Sequence, residues 1–213
     1  MIRAFDPDFI VVATGAKPGP SPLKTDELSS EIQVLHAWEV LTSLPEIAST
    51  AKVTIVGGGM VGAEVADALR IKGCVINLLE LQSGIANGMA RNNRYELVDR
   101  LVADGVQILA NCRILGVSSH QLSIHVQGEE PRELDIGDLL VFATGPRPDI
   151  DILNAVQATG IPYERIGDCN VPGDFLSSLR DAGMVALSLD AYASRGALRS
   201  RMSTPTSLLR TAI

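Results

Sequence analysis

Aromatic side chains are scarce in this sequence of 213 residues, of which they make up 4%. An aromatic-rich β-sandwich is therefore disfavoured, and the core must be built mainly from Val, Leu, Ile and Ala. Such a composition is typical of buried parallel strands packed under helices. The length allows one α/β domain, either alone or with a piece of a second.

Positive charge is also in short supply. Asp and Glu outnumber Lys and Arg by 25 to 18, which gives a formal net charge of −7. A nucleic-acid partner whose binding depends on neutralised phosphates is therefore not expected. A small phosphorylated cofactor is compatible with this charge, because the backbone amides at a helix N-terminus can hold a pyrophosphate.

Long apolar runs and clustered metal ligands are missing as well. No apolar run has the length needed to span a bilayer, and the N-terminal residues lack the apolar region of a signal peptide. We therefore predict a cytoplasmic protein without a membrane partner. The three cysteines, Cys74, Cys112 and Cys169, show no CxxC spacing and are interpreted as small buried residues. Since the three histidines are also scattered, the sequence predicts no metal site.

The pattern of apolar runs predicts an α/β fold with a Rossmann-like parallel sheet. Apolar strands alternate with amphipathic helices, and short alternating segments predict an antiparallel meander between two of the strands. The predicted strands are 9–13, 52–56, 75–79, 106–109 and 138–143, the predicted helices are 36–44, 61–71, 92–103 and 177–189, and the meander covers 114–117, 122–126 and 133–136.

The most informative motif is a glycine-rich loop between a predicted strand and a predicted helix. It matches G-x-G-x-x-G and comprises Gly57, Gly58, Gly59, Met60, Val61 and Gly62. In this motif the first glycine permits a tight turn, the second lets a pyrophosphate approach the backbone, and the third allows close packing of helix and strand. The loop therefore predicts a dinucleotide-binding site, with a glycine-rich packing turn as the alternative.

An acidic residue ends the strand that follows this helix. Glu80 lies 21 positions after Gly59, where a carboxylate can accept hydrogen bonds from the hydroxyls of an adenosine ribose. Because a carboxylate repels a 2′-phosphate, Glu80 favours NAD(H) over NADP(H). A more distant arginine that folds back, Arg91 or Arg94, would reverse this preference. An incidental surface glutamate is the other interpretation.

Two strand endings repeat the tripeptide Ala-Thr-Gly, at residues 13–15 and 143–145. Together with the glycine loop and a Gly-Asp-Cys stretch at 167–169, they resemble the two-dinucleotide-domain flavoproteins of the pyridine-nucleotide-disulfide reductase superfamily. In that family an NAD domain is inserted into an FAD domain. The resemblance implies partial FAD-type segments at 1–15 and 146–190, a crossing linker at 16–50, an NAD-binding domain at 51–145 and a tail at 191–213.

The resemblance also assigns further site residues. Thr144, Gly145 and Glu64 are expected near the nicotinamide, although Glu64 on its helix could equally be a solvated or packing glutamate. Asp168 is expected to meet FAD, with capping of the following helix as the alternative. No catalytic residue can be named.

A closer similarity is to the C-terminal part of 2,4-dienoyl-CoA reductase and trimethylamine dehydrogenase-type NADH:flavin oxidoreductases. It rests on residues 88–94 and 167–169. The chain departs from the family pattern in two respects, since it lacks both the glycine fingerprint for FAD and the barrel that carries FMN.

Two functions follow from these observations. The first is the NAD(H)-binding portion of a flavin-dependent oxidoreductase that passes hydride from NADH to a flavin, incomplete by itself. The second is a non-catalytic dinucleotide-binding module, or a truncated subunit, that needs a flavin-bearing partner chain. A homodimer is a further expectation, because an exposed flavin-facing surface would be apolar.

Overall fold

The computed structural model describes residues 2–5 and 7–194, which form two compact units. The larger unit comprises Pro18–Gly145. The described residues up to Lys17 and from Pro146 onwards form the smaller unit.

Short strands and helices make up most of the described residues. In chain order the strands are β1 (Ile10–Val12), β2 (Ala16–Pro18), β3 (Gln33–His36), β4 (Lys52–Val56), β5 (Val75–Leu79), β6 (Gln107–Leu109), β7 (Cys112–Ser118), β8 (Gln121–Val126), β9 (Arg132–Asp135), β10 (Leu139–Phe142), β11 (Pro146–Pro148) and β12 (Tyr163–Arg165). The helices are α1 (Ala37–Ser43), α2 (Met60–Lys72), α3 (Arg91–Ala103), α4 (Leu153–Gln157) and α5 (Phe175–Ser194), and short 3-10 turns lie at Ile2–Phe5, Thr25–Glu27, Leu44–Glu46 and Gly167–Cys169.

The larger unit is built on a five-stranded parallel sheet in the order β3-β10-β4-β5-β6. Its central strands β4 and β10 are apolar and almost wholly buried, as expected of parallel strands that are covered on both faces. The predicted fold class, an α/β fold with a Rossmann-like parallel sheet and an antiparallel meander, is therefore confirmed.

Helices α1, α2 and α3 cover one face of this sheet. The buried residues on this side combine alternate strand residues with the apolar stripes of the helices, as in Val53, Ile55, Val65, Leu69 and Leu101. The alternation arises because successive strand residues point to opposite faces.

The antiparallel sheet β7-β8-β9 covers the other face. Val56 and Phe142 of the parallel sheet pack there with Leu122 and Ile124 of the meander. Thr54 is fully buried, and its hydroxyl donates a hydrogen bond to the carbonyl of Ile136 at 2.9 Å. This bond satisfies the one buried polar residue found in the described part of the chain.

The smaller unit holds the predicted FAD-type segments. Strand β1 pairs in parallel with β12, and Val12, Val156 and Cys169 form its small core. The buried strand predicted at 9–13 is shorter, at Ile10–Val12, and of these residues only Val12 is buried, whereas Val11 is 43% exposed. A strand with a single pairing partner leaves one edge and much of its surface in contact with solvent.

Several elements differ from the sequence analysis. Residues 16–50, predicted as a crossing linker with one helix at 36–44, contain that helix as α1 but also the strands β2 and β3, and β3 is an edge strand of the main sheet. Helix α5 continues to Ser194, and the rest of the predicted tail, residues 195–213, lies outside the described residues.

The cysteine prediction is largely confirmed. Cys112 and Cys169 are buried, Cys74 is partly buried, and all three are free thiols. Burial raises the pKa of the Cys74 and Cys112 thiols. Among the described residues, no group of His, Cys, Asp and Glu is placed to hold a metal ion, and none of the helices is long and apolar enough to cross a membrane.

Candidate dinucleotide-binding site

The parallel sheet brings three parts of the predicted site to one edge. The glycine loop follows β4, Glu80 follows β5, and Thr144 follows β10, and these three strands are neighbours in the sheet. On one side of β4 lies β5, the next strand in the chain. On its other side lies β10, which comes much later in the chain. Ligands of open α/β sheets bind in the crevice outside such a switch point.

Two of the three glycines of the G-x-G-x-x-G pattern are required by the packing of the protein backbone itself. Gly57 has a φ of +106°, and a Cβ at this position would overlap the carbonyl of Ala143. A Cβ on Gly62 would overlap the carbonyl oxygen of Gly57. These contacts hold the start of α2 against the loop and the neighbouring strand end, as the third glycine of the motif is expected to do.

Gly59 differs from both, because a Cβ added there would meet no other atom within 4 Å. It is the N-cap residue of α2 and offers no side chain to the first turn. The first intrahelical bond is donated by Ala63 to Gly59, so the N–H groups of Met60, Val61 and Gly62 lack intrahelical acceptors. The open backbone and the positive end of the helix together suit a pyrophosphate.

The Glu80 carboxylate is fixed by two backbone amides. One oxygen accepts a hydrogen bond from the N–H of Gly58, and the other accepts one from the N–H of Gln82, both at 2.7 Å. Since each carboxylate oxygen can accept a second hydrogen bond, the group retains capacity for ribose hydroxyls. The N–H of Gly58 is consequently engaged within the protein, and Gly58 contributes by orienting Glu80.

The loop from Glu80 to Ala90 packs against the glycine loop, a feature that the sequence analysis missed. Ile85 and Ala86 are buried, and the N–H of Ala86 donates to the carbonyl of Gly58 at 2.6 Å. A Cβ on Gly58 would lie 2.8 Å from a methyl group of Ile85. The small residue at position 58 is therefore required by this packing.

Arg91 and Arg94, the two arginines that could favour NADP(H) by folding back toward Glu80, both have partners within the protein. The Nε of Arg94 donates to the carbonyl of Ile85 at 2.7 Å, and the guanidinium of Arg91 lies 5.6 Å from the ring centroid of Tyr95. These contacts engage both side chains within the protein.

The residues expected near the nicotinamide lie at the surface of the larger unit. Thr144 and Gly145 are exposed, and the hydroxyl of Thr144 contacts the carbonyl of Pro20 at 3.5 Å. Glu64 is exposed on α2 and lines a groove of about 460 Å³ beside α3, together with Met60 and Asp67.

Asp168 lies in the smaller unit and accepts a hydrogen bond from the N–H of Gly173 at 3.0 Å. The alternative that Asp168 caps the following helix is wrong, because Asp174 does so. Asp174 accepts from the N–H of Ser177 at 2.7 Å, and the Ser177 hydroxyl accepts from the N–H of Asp174 at 3.0 Å. This reciprocal pair is a capping box.

The chain is similar in sequence to oxidoreductases. It is 29% identical over 170 residues to bilirubin reductase from Mediterraneibacter gnavus, covering 80% of this chain and 25% of that protein. It is 25% identical over 186 residues to NADH oxidase from Thermoanaerobacter brockii, covering 87% of this chain and 28% of that protein. The chain thus spans about a quarter of the length of these relatives.

The fold is shared with histamine dehydrogenase from Rhizobium sp. 4-9, with a TM-score of 0.74 at 15% sequence identity. The similarity covers 85% of this chain and 30% of that one. Residues 3–174 match the family described as pyridine nucleotide-disulphide oxidoreductase, whose cofactors are NAD(H) and FAD. With most of its length in this match and with the glycine loop and Glu80 arranged as above, the chain belongs to the pyridine nucleotide-disulphide oxidoreductase family.

Proposed function

We propose that this chain is the NAD(H)-binding portion of a flavin-dependent oxidoreductase, in which hydride passes from NADH to a flavin. The observation that carries the proposal is the contrast within the glycine loop. Gly57 and Gly62 are closed by backbone contacts, whereas Gly59 is open next to the uncapped N-terminus of α2. An open backbone at the middle position is what a bound pyrophosphate requires, and a turn built for packing alone does not need it.

In this proposal the amides of Gly59, Met60, Val61 and Gly62 hold the pyrophosphate of NAD(H). Glu80 accepts hydrogen bonds from the adenosine ribose, with its carboxylate oriented by the N–H groups of Gly58 and Gln82. The negative charge of Glu80 disfavours a 2′-phosphate, and Arg94 is engaged by Ile85. NAD(H) is therefore the proposed dinucleotide.

When bound, NADH would supply a hydride from its nicotinamide ring, and FAD, the flavin cofactor of this family, would accept it. Glu64, Thr144 and the backbone of Gly145 are proposed to lie toward the nicotinamide end. The contribution of the protein is to position the dinucleotide and to exclude water, and no side chain of this chain is assigned a proton-transfer step.

The sequence contains the G-x-G-x-x-G pattern once, in the NAD(H) site, and the carboxylate of Asp168 is engaged by Gly173. We therefore propose that the pyrophosphate of the flavin is held chiefly by another polypeptide segment, of the same protein or of a partner chain. The proposal also includes four expectations from the sequence. They are a place among the 2,4-dienoyl-CoA reductase and trimethylamine dehydrogenase-type enzymes, a homodimer, a cytoplasmic location, and the division of the chain into an NAD-binding domain and partial FAD-type segments.

A titration tests the proposal directly. NADH, NAD⁺ and NADPH are titrated into the purified chain by calorimetry. We expect a saturable complex with NADH and NAD⁺ and weaker binding of NADPH. The absence of any saturable complex with either nicotinamide dinucleotide would overturn the assignment.

The second candidate is a dinucleotide-binding module without its own catalysis, and the single glycine fingerprint favours it. The visible absorption spectrum separates the two candidates. A purified chain that carries a flavin and is bleached by NADH under anaerobic conditions is a self-sufficient oxidoreductase. A colourless chain that binds NADH is a module that obtains its flavin elsewhere.

A further inference from the structure

One peptide unit connects the glycine loop to helix α3. Its N–H, on Ala86, donates to the carbonyl of Gly58 at 2.6 Å. Its carbonyl, on Ile85, accepts from the Nε of Arg94 at 2.7 Å. The bonds on the two ends of this peptide unit form a chain from the guanidinium of Arg94 to the backbone of Gly58.

Ala86, which follows this peptide unit, is held in an unfavourable backbone conformation. Ala86 has a φ of +54°, in the left-handed region that residues with a Cβ avoid, and its side chain is fully buried. Backbone of this kind persists where its surroundings determine it strongly, and it clusters at ligand sites. Both polar groups of the peptide unit are hydrogen-bonded, the N–H to Gly58 and the carbonyl to Arg94, and these bonds hold its direction.

Arg94 is well placed to supply such an anchor. It lies in the first turn of α3, a helix packed into the core through Leu97 and Leu101, and its terminal nitrogen lies against Gly84. Its charge strengthens the bond to Ile85, because hydrogen bonds with an ionised donor are stronger than neutral ones. It also polarises the peptide unit, which strengthens the bond that Ala86 donates at the other end.

The chain of bonds ends at Glu80. The carbonyl of Gly58 is fixed by Ala86, and the N–H of Gly58 donates to the Glu80 carboxylate at 2.7 Å. We propose that Arg94 is a positioning residue for dinucleotide binding, which acts through the Ile85–Ala86 peptide unit on Gly58 and Glu80 without touching the nucleotide. This inference rests on the proposed function. In it Arg94 supports the binding of NADH through Glu80, whereas an arginine that binds a 2′-phosphate would favour NADPH.

The test compares Arg94→Ala with Arg91→Ala, which removes the same charge from the same helical turn. NADH and NADPH affinities are measured by calorimetry on chains whose melting curves show them to be folded. We expect Arg94→Ala to weaken NADH binding roughly tenfold. Arg91→Ala should change it less than twofold, and Arg94→Lys, which keeps the charge and a donor, should fall between wild type and Arg94→Ala.

A double-mutant cycle with Glu80→Gln separates positioning from a general loss of structure. If Arg94 acts through Glu80, the double variant loses clearly less affinity than the product of the two single losses. Independent losses that simply multiply would overturn the inference.

Two other outcomes are equally decisive. Wild-type affinity in Arg94→Ala would overturn the inference, and so would a loss that is larger for NADPH than for NADH, which indicates a direct phosphate contact. A wild-type chain that fails to bind NADH would instead overturn the proposed function, so the two failures are distinguishable. If Arg94→Ala does not fold, the cycle is run with Arg94→Lys and the same criteria apply.

Discussion

The Glu80 carboxylate accepts a hydrogen bond from the backbone N–H of Gly58, at 2.7 Å. This contact joins the end of strand β5 to the glycine loop after β4. It fixes the acid at the position where the ribose of a dinucleotide is expected.

Glu80→Arg should weaken NADH binding and shift the preference toward NADPH. The substitution removes a charged hydrogen-bond acceptor and adds a cation that can pair with a 2′-phosphate. We expect the NADH affinity to fall roughly tenfold or more, as measured by calorimetry. Glu133→Arg on the exposed side of the meander is the matched control and should leave both affinities unchanged. If neither affinity moves in Glu80→Arg, the ribose assignment is wrong.

Alanine at Gly59 and at Gly62 should have opposite consequences. The Cβ of Gly62→Ala overlaps the carbonyl of Gly57, so the free energy of unfolding should fall by roughly 1–3 kcal/mol or more. The Cβ of Gly59→Ala meets no protein atom, and Gly59 has a φ of −61°, so this variant should keep nearly its full stability. It should nevertheless lose NADH affinity, because its methyl group occupies the space of the pyrophosphate.

Urea denaturation and an NADH titration of both alanine variants check this contrast. Equal stability losses at the two positions would contradict the packing argument. Unchanged NADH affinity in Gly59→Ala would contradict the assignment of the ligand.

Thr54→Val should destabilise the larger unit. The Thr54 hydroxyl donates to Ile136 and accepts from the side-chain amide of Asn77 at 3.2 Å, and Thr54 is fully buried. The isosteric valine leaves the carbonyl of Ile136 and the side-chain amide of Asn77 without the hydroxyl, which costs about 1–2 kcal/mol in the free energy of unfolding. Thr42→Val on the exposed side of α1 is the control and should change stability by less than about 0.5 kcal/mol. A Thr54→Val chain as stable as wild type would show that the bond is dispensable.

Stability should depend on pH through Asp67, which links α2 to α3. Burial raises the pKa of Asp67, but hydrogen bonds from Arg100 and Arg70 outweigh this effect and hold the pKa below its ordinary value of 3.8. The stabilisation by these ion pairs is fully present above that ordinary value, and it is lost as the pH falls through the lower pKa of the folded state.

Asp67→Asn should therefore be less stable than wild type at pH 7, by roughly 1 kcal/mol or less for a pair near the surface. The difference should narrow when denaturation midpoints are measured below the ordinary pKa. A difference that stays constant into the acid range would show that Asp67 acts by packing and not by charge.

The central elements of the fold could be predicted because their local signals agree. Strand β4 is an apolar run, the glycine loop follows it directly, and α2 is capped at its C-terminus by Gly73, whose φ of 94° suits only glycine at low cost. Sequence and tertiary structure favour the same conformation in this region. The predicted positions of Gly57, Gly62 and Glu80 depend on these signals alone.

Other features depend on contacts that no local pattern encodes. Strand β3 is short and partly polar, and it forms because β10, about a hundred residues later in the chain, offers it a partner. The sequence around Ile85 and Ala86 has the composition of an exposed turn, yet both residues are buried against Gly58. Arg94 has no local signal that distinguishes it from Arg91, since its partner is a backbone carbonyl in another segment.

The unequal environments of the loop glycines have a consequence for descendants of this protein. Gly57 and Gly62 are demanded by the polypeptide itself, so selection for folding would preserve them even in a lineage that had abandoned its cofactor. Gly59 has no such protection. A homologue that keeps the glycines equivalent to Gly57 and Gly62 but has a bulky residue at the position of Gly59 would therefore retain the fold and have lost the ancestral ligand.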